Sequence, residues 1–212
     1  MILLVAAAAS LGHAQADQTA PSAEEVLTRF RTLQWRPPEA RRIVIEVTGV
    51  LSAPLLTCRY EGTLQVVEQE VSVDFKTAGW LCGMIQRRIE PALPALARLL
   101  FPEFQDAYFP RYRWQVTGRT ATDSQTVYAL VGDARDPEEN QYHTEAWAVW
   151  ETGLMSRVVL HYRRSGTGPV VADVGYRQED GYWRFDRWNL SSTVMGRPAR
   201  LDVTFHRYSF GL

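Results

Sequence analysis

The sequence predicts an α+β fold: an antiparallel sheet with one buried face, covered by a few helices. Three observations predict it. Between about Ala146 and Tyr208 hydrophobic residues recur with period two; the runs are separated by turns, most of them carrying glycine; and a capped, one-sided helix precedes the first strand. Period-two alternation puts neighbouring side chains on opposite faces, and a single apolar parity marks a half-buried antiparallel sheet.

The chain has 212 residues, enough for one substantial core. Its formal net charge is −1, which supplies neither the basic field of a nucleic-acid binder nor an acidic tail. Lys76 is the single lysine among 23 basic residues, so lysine chemistry has almost no place. Met1–Ala9 is apolar and too short to span a bilayer as a helix. Ala14-Gln15-Ala16 has the small-x-small form of a cleavage site, so residues 1–16 are expected to be a signal peptide. A hydrophobic N-terminal helix is the other reading, and no basic residue precedes the run. No cysteine follows the site to take a lipid. The mature chain, 17–212, is expected to be a single soluble, exported domain: it has no repeat, low-complexity tract or dividing linker.

In order, Ser22 and Glu25 form a capping box, and Val26, Leu27, Phe30 and Leu33 make an apolar helical stripe ended by Pro37-Pro38. Strands are expected at Arg41–Leu51, Thr57–Val67 and Val71–Phe75. Gly79–Arg88 is ambiguous. Glu90–Gln105 reads as a helix with Pro91 and Pro94 in its first turn, apolar on nearly all sides. It is either a buried core helix or a lid between an apolar cavity and solvent. Arg111–Gly118 and Val127–Val131 are further strands, followed by a polar loop, Gly132–Asn140. The last five strands are Ala146–Trp150, Arg157–Arg163, Val170–Arg177, Tyr182–Leu190 and Ala199–Tyr208. Asp180-Gly181 suits a two-residue hairpin turn with positive φ. Trp183 and Phe185 have one parity, Trp188 and Leu190 the other; either both faces are partly buried or a β-bulge near Asp186-Arg187 shifts the phase, as a strongly curved sheet requires.

Nucleotide, phosphate, zinc-protease and serine-hydrolase motifs are all missing from the sequence. His143, His161 and His206 lie on separate strands or loop edges without ligand spacing, so neither a metal nor another cofactor is expected. His143 and Glu145 share a strand face as many surface pairs do. Cys58 and Cys82 are candidates for one disulfide, as expected of an exported chain; two separate buried thiols are the alternative.

The order of elements, with the segments Trp147–Leu154, Val174–Trp183 and Leu201–Tyr208, resembles the LolA-like superfamily of outer-membrane lipoprotein carrier and sorting proteins. Glu151-Thr152-Gly153-Leu154 resembles that family's acid-x-Thr-Gly-Leu hairpin, with the acid directly before the threonine. The resemblance implies an incomplete, strongly curved β-barrel with helices covering its concave face and an apolar cavity for acyl chains. Alternation alone gives the more apolar parity of each strand: Ile43, Ile45, Val47, Leu64, Val66, Val73, Phe75, Trp114, Val116, Trp147, Val149, Leu160, Tyr162, Val174, Tyr176, Leu201, Val203 and Phe205. The resemblance makes these the ligand cavity, with Leu93, Leu96 and Leu100 turned inward from a helical lid.

The function this favours is a monomeric periplasmic binder or carrier of lipid or lipoprotein acyl chains in outer-membrane lipoprotein sorting. The alternative is a periplasmic regulatory or interaction module that senses envelope state through a membrane-protein partner; co-purification of protein without lipid would favour it. An enzyme is not expected, because a hydrolase needs a nucleophile–base pair that the sequence does not present.

Overall fold

In a computed structural model, residues 20–33, 35–67, 70–80, 82–83, 92–163, 168–194 and 196–211 are described. The proposed signal segment, 1–16, lies outside them, as does most of the ambiguous stretch after Gly83.

Helix α1, Ala23–Arg31, begins where the sequence caps it. Ser22 Oγ accepts from the Glu25 backbone N–H, and Glu25 Oε2 accepts from the Ser22 N–H, so two otherwise unpaired donors are satisfied reciprocally. Its buried side is Val26, Leu27 and Phe30. Three strands follow: β1, Arg42–Ala53; β2, Leu56–Val67; and β3, Glu70–Thr77. Helix α2, Ala92–Leu100, is continued by single turns and a short helix α3, Gln105–Tyr108. Seven strands complete the chain: β4, Tyr112–Ala121; β5, Thr126–Ala134; β6, Gln141–Val149; β7, Met155–Tyr162; β8, Val170–Glu179; β9, Tyr182–Val194; and β10, Arg197–Gly211.

All ten strands belong to one sheet in the order β3-β2-β1-β10-β9-β8-β7-β6-β5-β4, every pairing antiparallel. The sheet is open, with β3 and β4 as its edges. Within each three- or seven-strand block neighbours in sequence are neighbours in space, as short hairpin connections dictate. Among the described residues, β1 with β10 is the one distant strand pairing.

The phase change expected in β9 is a bulge. Gly175 pairs with Arg187 and Tyr176 with Phe185, leaving Asp186 as the extra residue. Phe185, Trp188 and Leu190 thereby all reach the core in spite of their mixed parity. A second bulge, not anticipated from sequence, lies in β10: Val47 pairs with Phe205 but Ile45 with Tyr208. It turns Tyr208 onto the same side as Phe205. The ladder between β9 and β10 runs from Val194↔Arg197 to Arg187↔Thr204. Beyond it side-chain hydrogen bonds link β10 to β9, through Tyr208, and to β8, through Arg177. Tyr208 Oη donates to the Phe185 carbonyl at 3.0 Å, and Arg177 donates to the carbonyls of Phe205 and His206 at 2.7 and 2.6 Å.

Asp180 and Gly181 have φ of 52° and 81°, the paired left-handed conformation the hairpin turn needs. Cys58 and Cys82 form a disulfide with Cα atoms 5.7 Å apart, tying the segment after β3 to β2. Among the described residues no helix is long and apolar enough to cross a membrane.

Candidate ligand-binding face

One face of the sheet is continuously apolar because alternation in each strand is in phase with its neighbours. Ile43, Ile45, Val47, Leu64, Val66, Leu160, Val174, Leu201, Val203 and Phe205 are buried in a single cluster. Val73, Phe75, Trp114, Val116, Tyr162 and Tyr176 are half-buried against it. Trp147 and Val149, expected on this face, are not part of it. The residues of β6 that enter the cluster are Ala146 and Ala148. Trp147, between them, points to the other face, where the Arg157 guanidinium lies 5.6 Å from its ring. The physical reason is space: alanines, 0% and 2% exposed, occupy tight positions that an indole would overfill.

The helices meet this same cluster. Leu96, Leu99, Leu100 and Phe101 are fully buried in it, and the Phe101 ring sits edge-on to Phe185 of β9 at 4.9 Å and to Trp35 at 4.6 Å. Leu93's side chain lies outside the described residues. Helix α1 is held by the turn between β6 and β7. Gly153 there has φ of 73°, and a Cβ on it would come within 2.8 Å of the Arg29 carbonyl oxygen. Arg29 stacks 3.7 Å over the Trp150 ring and donates to the Trp150 carbonyl. Glu151 accepts from the Thr126 N–H with both carboxylate oxygens, and this bond holds its carboxyl below the usual range. The Glu-Thr-Gly-Leu segment therefore seats a helix on the sheet.

A few neutral polar groups interrupt the apolar surface. Gln141 donates to Thr144 Oγ1 and Tyr108 Oη, and Tyr112 Oη donates to the Gln141 carbonyl. Burial pushes the phenols of Tyr108, Tyr112 and Tyr162 up, so they remain protonated donors. Tyr162 Oη, Gln105 Oε1 and Trp188 Nε1 are buried without a hydrogen-bond partner. The arrangement suits burial of apolar groups, with neutral hydrogen-bonding groups to place a polar end.

The histidines are far apart in sequence, yet the fold brings two of them together. His143 and His161 are directly opposite on β6 and β7, and Glu145 Oε1 lies 3.0 Å from His161 Nε2. The signal was present in the hairpin: both histidines are equidistant in sequence from Thr152, in the turn.

An unclosed antiparallel sheet of ten strands with α1 before β1 and α2 between β3 and β4 is the LolA-like fold. A LolA superfamily protein from Nitrosomonas europaea superposes with a TM-score of 0.56 at 9% identity, covering 91% of this chain and 95% of that one. An outer membrane lipoprotein-sorting protein domain from Vibrio parahaemolyticus, so described putatively, gives 0.54 at 14% identity, covering 90% and 92%. A DUF1329 family protein from Desulfovibrio piger gives 0.51 at 11% identity, covering 89% and 91%. No protein-family model and no curated protein sequence matches the chain.

Proposed function

We propose that the chain is an exported binder and carrier of lipid or lipoprotein acyl chains, acting in outer-membrane lipoprotein sorting. The observation that carries the reading is one hydrophobic cluster shared by the inner face of an unclosed sheet and the leucines of α2. Moving α2 would bare both surfaces together, and an acyl chain would lie against them in the helix's place. In this reading α1 and α2 cover the concave face, Leu96 and Leu100 with Leu93 act as the lid, and the apolar strand positions predicted from alternation, less Trp147 and Val149, line the ligand site. The LolA-like fold supports it, as does the Cys58–Cys82 disulfide, which belongs to an oxidising compartment such as the periplasm. Residues 1–16 are then the removed leader, 17–212 the working domain and the monomer the working form, with no catalytic step.

Each buried CH₂ contributes about 0.8 kcal/mol, or roughly a fourfold gain in affinity. Titration with fluorescent fatty acids of increasing length should show affinity rising by that factor per methylene, with little response to salt. No binding at any length, or affinity set by salt and not by length, would overturn the carrier reading and favour a protein partner.

A further inference from the structure

The sheet face turned away from Ala146 and Leu160 carries a second cluster, built by register. Asp133 of β5 is directly opposite His143 of β6, which is directly opposite His161 of β7, so three strands present these side chains on one rung. Glu145, two residues along β6 from His143, shares that face and reaches diagonally to His161. One donor atom each from His143, Glu145 and His161 lie within 4.8 Å of one another. Asp133 Oδ1 is 2.7 Å from His143 Nδ1.

The extra residue in β6, Tyr142, supports the imidazoles. The register shifts between Gln141 and His143, and the Tyr142 ring packs edge-on to His161 at 6.0 Å, itself covered by the Arg163 guanidinium at 4.7 Å. The two histidines and Glu145 are half-buried: ordered by their neighbours, still open to solvent.

We propose that His143, His161 and Glu145 bind a divalent transition-metal ion of the zinc type. Two imidazoles and a carboxylate are a common zinc donor set, and three protein ligands leave a fourth position for water or an incoming group. Asp133 is the positioning residue. Its carboxylate holds His143 Nδ1, fixing the ring and leaving Nε2 for the metal, the carboxylate–histidine–metal arrangement that raises ligand basicity. The ion enters between His161 Nε2 and Glu145 Oε1, which now share a hydrogen bond. Bound there it would pin β6 to β7, the hairpin whose turn holds α1. The site is on the opposite face from the lipid surface and does not depend on that reading.

The test uses tag-free protein freed of metal, titrated calorimetrically with Zn²⁺ and spectroscopically with Co²⁺. One ion per chain is expected, with the intense visible absorption of four-coordinate Co²⁺. His161→Ala and Glu145→Gln should each weaken binding at least a hundredfold, and Asp133→Asn about ten- to a hundredfold. His206→Ala, which removes a histidine bonded to Thr48 at a different place, should bind as the parent does. Circular dichroism and urea midpoints serve as the folding check for each variant. Stoichiometric binding lost in the first two variants and kept in the fourth supports the site. Absence of saturable binding, or equal binding by the parent and His161→Ala, overturns it and leaves two histidine–carboxylate hydrogen bonds.

Discussion

Replacing Gly153 by alanine tests how α1 is seated, and the structure supplies its own control. At Gly153 two costs combine. The residue has φ of 73°, where an L side chain costs about 1–2 kcal/mol. Its new Cβ would also lie 2.8 Å from the oxygen and 3.0 Å from the carbon of the Arg29 carbonyl, backbone that cannot swing aside. Relieving such an overlap costs about 1–3 kcal/mol more. Gly181 has φ of 81° with nothing within 4 Å of a built Cβ, so Gly181→Ala bears the first cost alone. Urea unfolding should therefore show Gly153→Ala losing about 2–5 kcal/mol and Gly181→Ala about 1–2. Hydrogen exchange localises the difference: amides of Val26–Arg31 should exchange faster only in Gly153→Ala, because the helix must back away and Arg29 lose its stacking on Trp150. Equal losses in the two variants, or unchanged exchange in α1, would refute the claim that this turn clamps the helix.

Leu100→Ala, at a position 1% exposed, should lower stability by about 2–5 kcal/mol and speed fatty-acid uptake; stopped-flow fluorescence and urea midpoints measure the two. Opening the Cys58–Cys82 bond, whose residues are 24 apart, should cost roughly 3 kcal/mol, read as a lower urea midpoint with reductant or in the double Cys→Ser variant. Burial raises the phenols of Tyr162, Tyr176 and Tyr208 above the ordinary value of 10.0. Since the unfolded chain releases these protons first, their contribution is whole below about pH 10 and lost as pH rises beyond it. Unfolding midpoints between pH 8 and 12 should fall only above about 10, and the late tyrosinate absorbance should appear with unfolding.

Strand positions are legible because period two survives along most of each strand, and the phase break near Asp186-Arg187 is legible because Phe185 and Trp188 differ in parity, although parity alone leaves a bulge and two part-buried faces both open. The β10 bulge is not legible: Leu201, Val203 and Phe205 alternate cleanly, and His206-Arg207 looks like ordinary surface. In β6 side-chain size and burial run opposite ways, so alternation weighted by size points to the wrong face. Where packing is tightest the core takes alanine, and the larger Trp147 is left outside with Arg157. The His143–His161 pair was hidden for another reason: it exists only in the register between strands, which spacing along one strand does not express.

The strand order also sets a sequence of events. β1 joins β10, so the middle of the sheet is closed by its last strand in chain order, through pairs such as Ile43↔Phe210. A chain delivered N-terminus first can assemble β1–β3 early and the later hairpins as they emerge, but the two blocks stay apart until β10 arrives between β1 and β9. Such a distant pairing closes slowly. Any delivery that starts at the N-terminus therefore leaves the two blocks unlocked until β10 has emerged. A variant cut after Ser192 should then release two weakly coupled halves and lose the single cooperative melt of the whole.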